Sequence, residues 1–239
     1  MYTNSKGLAS IGYDNCDMAN NGEYAIMNII QDGDIVFDIG ANKGEWSQHV
    51  LNHKTGITLH ACEPLQEVYK QLKANLKRYS VICHNFALSN ETTQKNFYCY
   101  NAKTSASELS SLFHRPILDT LLHAKPTIIS VETKTLDSLC QEQSVEHIDF
   151  LKIDTEGAEL NVLKGAANLL KTGAIKIIQF EYGGTYSDAH ITLKEVHELL
   201  INYGYLIFRI IPLGLVDITE WTSSLENYRY SNYLAVYNR

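Results

Sequence analysis

"GDIVFDIGANKGEWS", residues 33–47, is the stretch on which the reading of this chain turns. Its apolar run, "DIVFDIG" (34–40), has the length of a buried strand. The run breaks into Gly-Ala-Asn-Lys-Gly, and helical spacing resumes from Lys43 to His53. Strand, glycine turn and helix in that order form the entry to a nucleotide site in many α/β proteins. Gly40 and Gly44 have no Cβ, which predicts a tight turn that comes close to a ligand. The amides at the start of the next helix would then point at that ligand.

The same rhythm recurs along the chain. "ITLHACEP" (57–64) reads as a second strand, followed by a helix with Leu65, Val68, Tyr69, Leu72 and Leu76 on one face. "SVICHNFALS" (80–89) reads as a third. The middle is less regular, with strand-like "KNFYCYN" (95–101), a Ser-rich stretch at 104–111, and "TIISVETKTLDSL" (127–139) as a strand running toward a short helix. "IDFLKIDTEG" (148–157) restores the alternation, leading to a helix with Leu160, Leu163, Ala167 and Leu170. "IKIIQFEY" (175–182) is the next strand. Thr192 and Glu195 form a capping-box pattern for a helix that Gly204 ends, and "YLIFRII" and "NYLAVYN" supply the last two strands.

Such alternation predicts an α/β fold, a mostly parallel sheet with helices on both faces. No helix-length pattern separates the final two strands, so one of them is antiparallel. Ligands of such sheets bind beyond the carboxyl ends of the strands, where the strand order reverses. That directs attention to Asp38–Gly44, Glu63, Asn85–Ala87, Asp154 and Glu181.

Composition narrows the classes. With 239 residues, 45% hydrophobic and 20% charged, the chain reads as one ordinary globular domain. A net charge of −7 argues against nucleic acid as a partner, and "KANLKR" (73–78) reads as a solvated helix face. No apolar run approaches a membrane span and no signal peptide is visible. The five cysteines, Cys16, Cys62, Cys83, Cys99 and Cys140, are scattered, which suits free thiols in the cytoplasm. No linker, low-complexity tract or internal repeat interrupts the chain.

Two nucleotides compete for the turn. A dinucleotide fold requires G-x-G-x-x-G beneath a pyrophosphate. This chain has a single G-x-x-x-G with Glu45 directly after it, a poor neighbour for phosphates. Asp38 before the turn suits a cationic amino group, such as that of S-adenosylmethionine. Glu63, at the end of the second strand, stands where an acid accepts hydrogen bonds from both hydroxyls of a ribose.

"VFDIGANKGEWS", "CEP", "NFALSN", "TKTLDSL", "IDFLKIDTEGAELNVLKGA" and "IQFEY" together resemble the FkbM family of S-adenosylmethionine-dependent methyltransferases. The order and spacing match from about Glu23 to Tyr182; residues 100–130 and 183–239 give no comparable match. The resemblance implies a class I methyltransferase (Rossmann-like) fold of seven strands, the last antiparallel, and O-methylation of a sugar, polyketide or other small hydroxylated acceptor. It makes Asp38, Gly40, Ala41, Asn42, Gly44 and Glu63 cofactor positions, with Asn85, Phe86 and Ala87 near the adenine. A single methyltransferase domain over 1–239 would then comprise an N-terminal helical segment (1–30), a cofactor-binding core (31–182), and C-terminal strands with acceptor-side elements (183–239).

Methyl transfer to an alcohol needs alignment and removal of a proton. Strand alternation places Lys152 and Asp154 on one face and Ile153 on the other. A lysine inside a strand requires an acidic partner, either Asp154 or Glu181. Asp154, Lys152 and Glu181 are therefore the catalytic candidates. Asp154 also reads as an N-cap for a helix starting near Glu156, and Glu159 as a favourable first-turn acid. Glu156 stays open between capping and chemistry. His49 with His53, and His190 with His197, read as helix faces; no G-x-S-x-G is present and no metal is assigned, only carboxylates near Asp154 and Glu181 being able to hold one. Tyr182, Tyr186 and Trp221 are candidates for an aromatic acceptor wall. The competing functions are a nicotinamide-dependent oxidoreductase and a protein that binds S-adenosylmethionine without catalysis.

Overall fold

The computed structural model describes residues 13–100 and 109–238. Most of the Ser-rich stretch and the first twelve residues of the N-terminal segment lie outside them. α1 (Glu23–Ile26) continues as a 3-10 turn, Met27–Ile29. Then come β1 (Ile35–Ile39), α2 (Glu45–His53), β2 (Thr58–Cys62), α3 (Gln66–Leu76) and β3 (Val81–His84). An excursion follows: β4 (Ala87–Leu88), β5 (Thr93–Cys99), α4 (Pro116–Leu121), β6 (Thr127–Lys134) and α5 (Leu136–Gln143). β7 (Ile148–Ile153), α6 (Glu159–Lys164), α7 (Ala167–Thr172) and β8 (Ile175–Tyr182) restore the rhythm. The chain closes with α8 (Gly184–Asp188), α9 (Leu193–Asn202), β9 (Tyr205–Ile211), β10 (Gly214–Asp217) and β11 (Ser231–Tyr237).

The main sheet has the order β10-β9-β11-β8-β7-β1-β2-β3. β3, β2, β1, β7 and β8 run parallel, and β11 inserts antiparallel between β8 and β9. Those are the seven strands that the resemblance implies. An eighth, β10, folds back on β9 as a short hairpin that its four residues were too few to announce. The strand read at 80–89 divides. β3 stays in the main sheet, whereas β4 pairs with β6 in a small sheet of order β4-β6-β5. Asn85 sits at the break and donates to the carbonyls of Glu63 (2.9 Å) and Pro64 (3.1 Å), tying the departing chain to the end of β2.

Both faces are covered. Phe37, Ile39, Leu151, Ile153, Ile178 and Phe180 pack on one side against α5, α6, α7 and α9. Val36, Leu59, Ala61 and Phe150 pack on the other against Ile26, Trp46, Val50 and Leu72 of α1, α2 and α3. Each valine, leucine, isoleucine or phenylalanine among them, fully buried, stabilises the fold by about 1.5–3 kcal/mol. One polar row interrupts the second face: Asp38 lies opposite Lys152 in the strand register, and Lys152 opposite Gln179. The site is built on that row.

Candidate active site

Between β1 and α2 the turn is shaped by the protein itself. Gly40 has φ 79°, and a Cβ there would lie 1.7 Å from the carbonyl oxygen of Asp154. Gly44 has φ 85°, and its Cβ would press on Leu72 of α3 at 2.8 Å. Both glycines are therefore required by neighbouring chain rather than by a ligand's approach. The amides follow suit. Gly40 and Ala41 donate to the Cys62 carbonyl (3.1 and 2.9 Å), Gly44 donates to Ala41 (2.8 Å), and the Asn42 N–H serves the Glu63 carboxylate. These turn donors are spent within the fold. A pyrophosphate needs them free.

A cavity of about 590 Å³ opens beyond the carboxyl ends of β1, β2, β7 and β8. Gly40, Ala41, Asn42, Glu63, Phe86, Ala87, Lys152, Asp154 and Glu181 all line it. Three expected cofactor positions do not reach its wall. Asp38 is fully buried, accepts a hydrogen bond from Ser47 Oγ (2.6 Å), and faces Lys152 Nζ at 3.7 Å. Gly44 is closed in by α3, and Asn85 spends its amide on β2. Glu63 is 6% exposed, with one carboxylate oxygen accepting from the Leu65 N–H at 2.8 Å. Burial raises its pKa to about 7 against two backbone donors.

The loop after β7 carries the charge. Lys152 Nζ lies 3.0 Å from Asp154 Oδ2, so of the two partners open to it Asp154 is the one in ion-pair contact. Burial works against the ammonium, but Asp154, Asp38 and Glu23 outweigh it and hold its pKa above the usual lysine range. Such a lysine stays a cation. Glu181 is pushed well up, by burial and then by the charges of Asp154 and Glu156, and its side chain hydrogen-bonds with Asp154. Asp154 caps nothing: α6 begins at Glu159, with Ala158 before it. Glu159 secures the intervening turn, accepting from Thr155 N (2.8 Å), Thr155 Oγ1 (2.9 Å) and Gly157 N (3.0 Å). Glu156, at φ 54°, pairs with Arg115 (2.7 Å). Among the described residues, Asp154, Glu156 and Glu181 bring carboxylate oxygens within 4.8 Å of one another. Lys152 and Arg115 already neutralise two of the three.

The wall also includes residues that the sequence did not suggest: Glu23, Trp46, Arg115 and Tyr230. Arg115 arrives from the excursion and reaches Asp188 as well (3.5 Å); nothing in "FHRPI" marks it. The aromatic candidates lie elsewhere. Tyr182 and Tyr186 are fully buried, the Tyr182 hydroxyl donating to Glu226 (2.9 Å), and Trp221 packs edge-on against His197.

The methyltransferase FkbM domain model matches residues 38–207, from the buried Asp38 to the middle of β9. The chain belongs to the FkbM methyltransferase family. It is an S-adenosylmethionine-dependent methyltransferase, and the spent amides of its turn fit that cofactor better than a dinucleotide. Among family relatives, the 31-O-demethyl-FK506 methyltransferase FkbM of Streptomyces tacrolimicus is 29% identical over 199 residues, spanning 74% of this chain and 75% of that one. The 2-O-methyltransferase NoeI of Sinorhizobium fredii is 24% identical over 185 residues, spanning 74% and 76%. The fold is shared with a solved putative rRNA-methylase from Clostridium thermocellum, at a TM-score of 0.50 and 8% identity over 99% of this chain and 97% of that one. Among the described residues, no helix of this methyltransferase is long and apolar enough to cross a membrane.

Proposed function

We propose that this methyltransferase acts on a hydroxyl oxygen of a small molecule, a sugar, polyketide or other natural-product or glycan unit. The observation that carries the reading is the Asp154–Glu181 pair on the cavity wall, with Lys152 holding Asp154 by charge. The O-methyltransferase names of both relatives support it. Bound S-adenosylmethionine supplies a methyl carbon already activated by its sulfonium.

The residues do the rest. Glu63 would accept from the ribose hydroxyls, with Phe86 and Ala87 on the adenine side and Gly40, Ala41 and Asn42 along the same wall. Lys152, fixed as a cation, is no base; it orients Asp154. A carboxylate oxygen of Asp154 takes the hydroxyl proton as the oxygen attacks, with Glu181 beside it to share that proton. Residues 183–185, Tyr230 and 109–115 frame the acceptor side, and residues 31–182 hold the cofactor within a single domain. The net charge of −7 supports a partner other than nucleic acid, and five free cysteines suit a cytoplasmic setting.

Calorimetry with S-adenosylhomocysteine and NAD tests the cofactor, with heat expected from the first only. Methyl-labelled donor, offered with panels of hydroxylated and amine-bearing small molecules, tests the acceptor. Label is expected on oxygen; label on nitrogen alone would overturn the O-methylation reading.

A further inference from the structure

The amino-acid end of the donor is a zwitterion whose ammonium calls for an anion on the cavity wall. Asp38 cannot be that anion, because Ser47 and Lys152 enclose it behind the wall. Asp154 is engaged by Lys152 and Glu156 by Arg115, and Glu181 stands against Asp154. Glu23 differs from all of them. It lines the cavity, is 3% exposed, and comes from α1, which covers the same sheet face as the polar row.

Its hydrogen-bond partners are all neutral. Oε1 accepts from Asn21 Nδ2 (2.6 Å) and Asn232 Nδ2 (3.0 Å), and Oε2 accepts from Gln179 Nε2 (2.9 Å). Among the described residues, no lysine or arginine forms an ion pair with it. Carboxamides fix the carboxylate without neutralising it, and Lys152 attracts it only from beyond ion-pair distance, so a cation arriving in the cavity stabilises a charge that burial makes costly. The oxygen of the same Gln179 carboxamide is buried with no hydrogen-bond partner. Buried polar atoms rarely stay so, which marks the packing behind Glu23 as polar and incompletely satisfied.

Resting on the reading of the cavity as the donor site, we propose that Glu23 receives the ammonium of the donor's amino-acid end. Two asparagines and a glutamine from three parts of the chain hold the carboxylate ready. The adenosine end, at Glu63 and Phe86, is read independently of it.

The test is a cycle on the full-length chain: S-adenosylhomocysteine against its deamino analogue, for wild type and Glu23→Gln, by calorimetry. Wild type should prefer the amino-bearing ligand by at least about tenfold, the worth of a charge-assisted hydrogen bond. Glu23→Gln should reduce that preference to within about twofold while still binding the deamino ligand as wild type does. No preference in wild type, or a full preference retained by Glu23→Gln, overturns the assignment while leaving the cofactor reading intact. Wild type that binds neither ligand overturns both. The wild-type comparison needs no variant, so it tests the proposal even if Glu23→Gln does not fold.

Discussion

The loop after β1 and the loop after β7 leave adjacent parallel strands and border one cavity, yet they are built on opposite plans. In the first, residues 40–44, backbone does the work: two glycines at positive φ and four amides satisfied inside the protein. In the second, residues 154–159, side chains do it: three acidic groups, held by a buried lysine at the end of β7 and an arginine from the excursion. One loop sets a shape and the other sets a field. The two plans fail differently when altered, and that difference can be measured.

The largest effect is expected where the loops meet. Gly40→Ala drives a methyl into the Asp154 carbonyl, a backbone atom that cannot move without parting β1 from β7. We expect a loss above roughly 4 kcal/mol, or no folded protein, in chemical denaturation. Gly44→Ala meets only side-chain atoms, of Leu72 and Leu76, so its cost should stay nearer the roughly 1–2 kcal/mol of a left-handed alanine. Equal losses at the two positions would remove the case for a backbone contact at Gly40.

Next comes Asp154→Asn, which keeps shape and removes charge. Methyl transfer should fall by on the order of 10²–10⁴, with S-adenosylhomocysteine affinity within a few-fold of wild type and little change in melting temperature. Full activity in this variant would move the base to Glu181. Glu63→Ala should weaken cofactor binding by more than roughly tenfold, since charge-assisted bonds are worth about 1.5–3 kcal/mol each. Its pKa of about 7 adds a sign: the carboxylate ionises as pH rises through that value, so wild-type affinity should increase from about pH 6 to 8. Glu63→Gln should show a flat profile over the same range.

The smallest effect belongs to Glu159. Burial raises its pKa from 4.5 to about 7, so its contribution to stability is complete below pH 4.5 and is lost as pH rises through about 7. Glu159→Gln keeps one acceptor for the 155–157 turn. It should cost on the order of 1 kcal/mol and make the fall in melting temperature between those pH values shallower. An unchanged slope would assign the pH dependence to Glu156 or Glu181 instead.

Much of this architecture is written locally. Strand, glycine turn and helix at 33–53, the alternation that puts Lys152 and Asp154 on one face, and the Thr192–Glu195 capping box are short-range patterns. Each depends on the period of its own element, so the chain alone determines them. The position of Glu63, just past the end of a strand beside the turn, was legible for the same reason.

Other features depend on what a distant segment brings. Asp38 looks like a ligand's partner until Ser47 and Lys152 close over it, and Asp154 looks like a cap until α6 is seen to begin five residues later, at Glu159. Glu23 and Arg115 look like any surface acid and base. Their roles come from Gln179 and Asn232 in one case, and from Glu156 and Asp188 in the other. A charged side chain takes its meaning from its burial and its partners, and both are properties of packing between elements far apart in the chain. The chain alone therefore determined which strand ends border the cavity; only the tertiary structure decided which charges face it.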